Sequence, residues 1–297
     1  MESYKKLVKK IIDDGERKQN RTGIDTISIT GYMFEHDMSE GFPLLTSKKM
    51  AYKSIFSELE FFIKGYHNKD WLKEHKNHIW DEWCSPILQP YGNDEKTKEK
   101  MKSISELGPI YGVQWRNFDG KQYFDENLNE MYSDEFSKGV DQLKYVVDEI
   151  KNNPTSRRII CSAWNPNQMS AMALPPCHVM WQVLINTTTN KMDLIWYQRS
   201  VDTMLGLPFN IASYAALLEL LCLESGKYTP GKLIGMLADV HIYENHIETA
   251  LEQLNRPTYK LPKFSVNNFK SIFDFESKDV VISDYVCGDK LSFDIAV

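Results

Sequence analysis

The opening residues, 1–15, place Tyr4, Leu7, Val8, Ile11 and Ile12 at helical spacing, which predicts an amphipathic helix ending near Gly15. The next stretch, ERKQNRTGIDTISITGYMFEHDM, carries a Thr-Gly turn signal and the alternation Ile24, Thr26, Ser28, Thr30, which predicts strands or a hairpin. Over 53–64 a second helical stripe runs through Ile55, Leu59, Phe62 and Ile63, with Glu58 beside it. HIWDEWC (78–84) sets Trp80 and Trp83 around two acids. Residues 85–108 are polar and turn-rich with a charged run, which predicts a solvated surface insertion rather than a domain linker. GPIYGVQWRNF then resumes with Tyr111 between glycines, and 117–138 reads as polar and irregular. From Gly139 a helix is predicted through Leu143, Val146, Val147 and Ile150, ended by Pro154.

The second half is richer in β patterning. SRRIICSAWNP sets Arg157 and Arg158 ahead of a strand-like run, 159–164. Successive strand residues face opposite sides, so two adjacent arginines share a pocket only where the strand has not begun. Strands are predicted over 179–185 and around WYQRSVD, and NIASYAALLELLCLESG reads as a thoroughly buried helix stopped by Gly226. A buried strand follows, then His241 and Tyr243, a last amphipathic helix, and a β-like tail. The chain has no internal repeat and no low-complexity segment. No apolar run is expected to span a membrane.

Length and composition narrow the class without naming a chemistry. The chain has 297 residues, with 42% hydrophobic and 26% charged, ordinary values for a globular protein. A net charge of −6 argues against a general nucleic-acid binder, although a few clustered arginines can still hold a small phosphate. The five cysteines (Cys84, Cys161, Cys177, Cys222, Cys287) form no CxxC pair, and no N-terminal apolar h-region is evident. This predicts unbridged thiols in a reducing, cytoplasmic compartment.

Chemistry concentrates between Met172 and Tyr214. Pro175 and Pro176 fix their φ and push the residues before them toward extended geometry, so Cys177 is presented on a stiff approach. A lone cysteine is more often a buried structural thiol. Here Gln198, Arg199, Ser200 and Asp202 follow on the next strand-like segment, and a nearby cation favours the nucleophilic thiolate. His241 and His246 could suggest a metal, but no Cys/His cluster completes a ligand shell, and none is expected.

PPCHVMWQ, YQRSVD, LGLPFNIASY and DVHIY, in that order, resemble the thymidylate synthase family, with similarity from Arg21 to the C-terminus. The resemblance implies a single α/β (α+β) domain, 1–297, built on a large mixed twisted sheet with packed helices, and a symmetric homodimer. It implies Cys177 as nucleophile and Arg21, Arg199 and Ser200 as phosphate and substrate ligands, with Arg157 and Arg158 crossing to the partner's site. Gln198, Asn210, His241 and Tyr243 would contact the nucleotide. Glu58, with Tyr111, His178 and Asp202, would serve the proton transfers. Trp80, Asp202, Ala296 and Val297 would lie near the co-substrate 5,10-methylenetetrahydrofolate.

The implied substrate is dUMP, since the amide of Asn210 offers both a donor and an acceptor to a uracil edge, where enzymes of this scaffold acting on cytosine carry aspartate. Two products stay open. Hydride transfer from folate gives dTMP and dihydrofolate; attack by water gives 5-hydroxymethyl-dUMP and tetrahydrofolate. Trp80 and the apolar tail favour a dry site and hence methylation. Glu60, Tyr66 and His67 depart from the usual family residues, and a polar helix face there could hold a water. A non-catalytic nucleotide- or RNA-binding relative is opposed by the intact Cys177, Glu58, Arg199 and Asn210 and by the net charge.

Overall fold

The computed structural model describes residues 1–20, 23–120, 123–124, 130–131 and 139–294. The expectations for Arg21, Ala296, Val297 and most of 117–138 lie outside these residues.

The opening stripe forms α1 (Glu2–Asp14), which buries Tyr4, Leu7, Val8 and Ile11. β1 (Glu16–Lys18) and β2 (Thr26–Asp37) pair antiparallel, as the turn signal between them predicts. α2 (Tyr52–Lys64) ends at Gly65, whose φ of 74° is the left-handed stop that glycine adopts without strain. α3 (Asp70–Glu74) and α4 (Glu95–Ser103) follow. α4 is a helix within the 85–108 segment that the sequence reading did not assign: the Asp94 side chain caps it by accepting from Thr97 N at 3.0 Å.

α5 (Tyr111–Asn117) precedes a short hairpin, β3 (Tyr123–Phe124) with β4 (Glu130–Met131), and then α6 (Gln142–Asn152). β5 (Ile160–Ser162), β6 (His178–Asn186) and β7 (Lys191–Asp202) lead to α7 (Gly206–Ser225). β8 (Thr229–Tyr243), α8 (Ile247–Asn255), and the paired β9 (Lys263–Val266) and β10 (Val280–Ser283) complete the order.

Six strands form one mixed sheet in the order β1-β2-β8-β7-β6-β5. Among the described residues its one parallel pair is β7–β8, joined by the crossover helix α7 as a parallel pair requires. α7 packs on β7, β8 and α2, and buries Leu207, Ile211, Leu217, Leu218 and Leu221 among others. By length and composition α7 could cross a membrane, contrary to the expectation that no run would qualify. Its side chains are instead mostly covered by the sheet and by α2, so it is the core helix. The opposite sheet face carries an exposed row, Met33, Met236 and Tyr197, in register across β2, β8 and β7.

Candidate active site

The sheet register assembles the site. Arg199 N donates to Cys177 O at 2.8 Å, which sets the cysteine beside β7 just before β6 begins. Ser200 pairs with Asp239 and Asp202 with His241 across the parallel β7–β8 ladder, while Thr26 of β2 pairs with Tyr243. A cleft of about 820 Å³ opens there, lined by Cys177, Arg199, Ser200, Asp239, His241 and Tyr243 on its polar side. Met169, Met172, Leu174, Trp164, Pro86 and Tyr91 form much of its apolar wall. The volume lies in the range that encloses a small organic ligand.

Arg199 does more for the loop than the sequence predicts. Its Nε donates to Pro176 O at 2.9 Å and its Nη2 to Pro175 O at 2.7 Å, and its guanidinium carbon lies 5.5 Å from the Trp164 ring centre. Two of its donors therefore clamp the approach to Cys177, a role beyond the thiolate and phosphate contacts that the sequence reading gave it. Cys177 itself is partly exposed, and its N–H donates to Tyr111 Oη at 2.8 Å.

Behind the cysteine lies a polar cluster in which Trp80, Tyr111, His178 and Tyr214 are buried and Glu58 is half-buried. Trp80 Nε1 donates to Glu58 Oε1 at 2.8 Å, yet burial dominates and raises the Glu58 carboxyl from 4.5 to about 7. Tyr111 stacks on Phe62 and on His178, whose ring centre is 4.2 Å away. His178 Nδ1 lies 2.7 Å from Tyr214 Oη, and burial lowers the imidazole to about 3, so it is neutral at physiological pH. His178 is buried and does not line the cleft.

Asn210 is oriented by a chain of amides. Trp196 Nε1 donates to Gln198 Oε1 at 3.1 Å, and Gln198 Nε2 donates to Asn210 Oδ1 at 3.1 Å. A carbonyl oxygen has two lone pairs, so the Asn210 amide can still both donate and accept. Asp202 Oδ1 accepts from Met204 N and Leu205 N, both at 3.1 Å, fixing the turn into α7.

Arg157 and Arg158 stand apart from this cleft. Both are exposed, precede the start of β5, and make no ion pair among the described residues. Glu60 also departs from expectation. It is buried, and its Oε2 accepts from Ser277 N at 2.7 Å, away from Glu58. His67 Nδ1 lies 2.6 Å from Glu106 Oε2. None of Glu60, Tyr66 and His67 lines the cleft.

The sequence reading missed Asp239, Lys18 and Lys48. Asp239 lies 3.4 Å from His241 Nδ1 and 2.5 Å from Lys18 Nζ. The His241 hydrogen bond is the largest cause that lowers its carboxyl to about 2, with Lys18 adding to it. Its signal was present: in DVHIY, positions 239, 241 and 243 share one strand face. Lys48 is buried, donates to Met204 O at 2.7 Å, and is lowered by burial to about 8 with Asp202 opposing.

The geometry suits covalent chemistry by a thiol on a small anionic ligand, in a cleft backed by a carboxyl that titrates near neutrality. The family model for thymidylate synthase matches residues 2–297. The chain is 42% identical over 316 residues to the thymidylate synthase of Mycoplasma mobile, covering 100% of both chains. It is 41% identical over 298 residues to that of Malacoplasma penetrans, with 96% of each covered, and 42% identical over 297 residues to that of Mycoplasma genitalium, again with 96% of each. The chain belongs to the thymidylate synthase family.

Proposed function

We propose that this protein converts dUMP to dTMP with 5,10-methylenetetrahydrofolate, releasing dihydrofolate. The observation that carries the reading is full-length membership of the family together with Cys177 at the wall of the cleft beside Arg199. Cys177 adds as thiolate to the sixth carbon of the uracil, which makes the fifth carbon nucleophilic. Arg199 and Ser200, with Arg21, bind the phosphate, and His241 and Tyr243 contact the sugar. Asn210, held by Gln198, reads the base. Glu58, poised near neutral pH, holds and releases a proton at the ring, and Tyr111 steadies the backbone of Cys177.

The folate supplies the one-carbon unit and the hydride when bound. Trp80, Asp202 and the terminal Ala296 and Val297 are its expected neighbours, and the apolar wall of Met169, Met172, Leu174 and Trp164 suits a planar ring. Methylation is favoured over hydroxymethylation. The relatives that match over the full length are thymidylate synthases, and Glu60 and His67 are already engaged by Ser277 N and Glu106.

We also infer a homodimer. The exposed row Met33, Met236 and Tyr197 offers an apolar face for a second copy, and Arg157 and Arg158 have no role in their own cleft. Five cysteines, none of them in a disulfide, support a reducing compartment such as the cytoplasm. The test is incubation with dUMP and 5,10-methylenetetrahydrofolate, with dihydrofolate followed by absorbance and the nucleotide product weighed by mass spectrometry. A 5-hydroxymethyl product, or none, refutes the reading.

A further inference from the structure

The polar segment 85–108 grips the loop that carries the nucleophile. At its start, Ser85 Oγ donates to Ala171 O at 2.8 Å. At its end, Leu107 O accepts from Ala173 N at 2.8 Å. Gly108 has φ +72° and comes so near that an added Cβ would lie 2.0 Å from Ala171 O, so only glycine fits. Between these, the Tyr91 hydroxyl hydrogen-bonds Ala173 O and also lies 2.8 Å from Cys84 O.

Residues 171–173 run straight into Leu174, Pro175, Pro176 and Cys177. The prolines fix φ, so a displacement at Ala173 passes along the chain to Cys177 and is not absorbed by free torsions. The far end of the same loop is held from the core by Arg199 and by Tyr111 Oη. The segment has an anchor of its own. Lys69, buried, donates through Nζ to Asp81 O at 2.9 Å, Trp83 O at 2.6 Å and Met101 O at 3.1 Å, tying α4 to the turn below it.

We propose that Tyr91 is a positioning residue for Cys177: its hydroxyl latches Ala173, so the 85–108 segment sets where the thiol stands relative to Arg199. The proposal rests on the reading of Cys177 as nucleophile. It makes the segment part of the catalytic apparatus, where its composition alone suggests surface decoration.

Tyr91→Phe tests it, because the ring stays packed 5.9 Å from Trp83 while the hydroxyl is lost. Two readouts are needed: steady-state kcat with KM for dUMP, and the pH dependence of Cys177 alkylation by iodoacetamide, located by peptide mass. With the thiol displaced from Arg199, the alkylation midpoint should rise by about half a pH unit. Misplacement should lower kcat by about five- to tenfold while KM for dUMP changes by less than about twofold. A latch that serves stability alone would lower Tm and move neither. If Tyr91→Phe does not fold, Ser85→Ala, which removes the neighbouring clasp, is read by the same two measurements. Should wild-type protein form no dTMP, the functional reading fails, while the two alkylation midpoints still judge the latch. An unchanged midpoint, or an unchanged kcat in a protein that does turn over, overturns the proposal.

Discussion

Replacing Glu58 with glutamine should make the protein more stable and less active, by an amount that depends on pH. Burial raises the Glu58 carboxyl from 4.5 to about 7 in the folded state. Between those values the folded protein holds a proton that the unfolded chain has released. Fewer protons bound to the unfolded state means that stability falls as pH rises through this window. Each tenfold change in the proton equilibrium is worth about 1.36 kcal/mol. The ionised, half-buried carboxylate should therefore cost at most about 3 kcal/mol at pH 8 but less than about 1 kcal/mol at pH 5. Glutamine stays neutral and can still accept from Trp80 Nε1, so Glu58→Gln should recover most of that difference at pH 8 and little at pH 5. Denaturant unfolding of both proteins at the two pH values measures it, and turnover at pH 8 should fall at least about a hundredfold if Glu58 moves the proton. An equal stability gain at pH 5 and pH 8 would refute the assignment of the raised pKa to burial of an ionisable group.

Cys177→Ser should abolish turnover while leaving dUMP affinity, measured by calorimetry, near that of wild type; more than a few per cent residual rate would remove Cys177 as the nucleophile. Asn210→Asp should move the ratio of kcat/KM for dUMP and dCMP toward dCMP by at least about tenfold, since one unpaired buried group costs about 1–3 kcal/mol; an unchanged ratio means the base is read elsewhere. Met236→Glu puts a charge in the middle of the exposed apolar row, and sedimentation should show a shift to monomer with loss of activity, because Arg157 and Arg158 then lack a partner site. A fully active monomer would refute the dimer.

Stripes of apolar residues made α1, α2 and α6 legible in the sequence, a long apolar run stopped by Gly226 marked α7, and the strand alternation before Gly31 marked β2. α4 was not legible because its sequence, EKTKEKMKS, buries only Met101. Its helix depends on the Asp94 cap and on Lys69, a residue far from it in sequence. The weight given to Glu60 could have been corrected from spacing alone. Residues two apart on a helix do not face each other, so Glu58 and Glu60 cannot serve one site. The grip of Arg199 on Pro175 and Pro176 is a different kind of miss: it is a distance between two loops, which no local pattern encodes.

The sheet order has a consequence for how the protein is made. The ladder between β2 and β8 joins Thr26 to Tyr243, more than two hundred residues away. The cleft therefore cannot close until nearly the whole chain has left the ribosome, and a nascent chain cannot bind nucleotide. α7 emerges first, apolar over most of its surface, before β8 exists to cover it. Synthesis must pass through an interval in which this hydrophobic helix waits for its sheet, and that interval is where chaperone dependence and aggregation in truncated chains will concentrate.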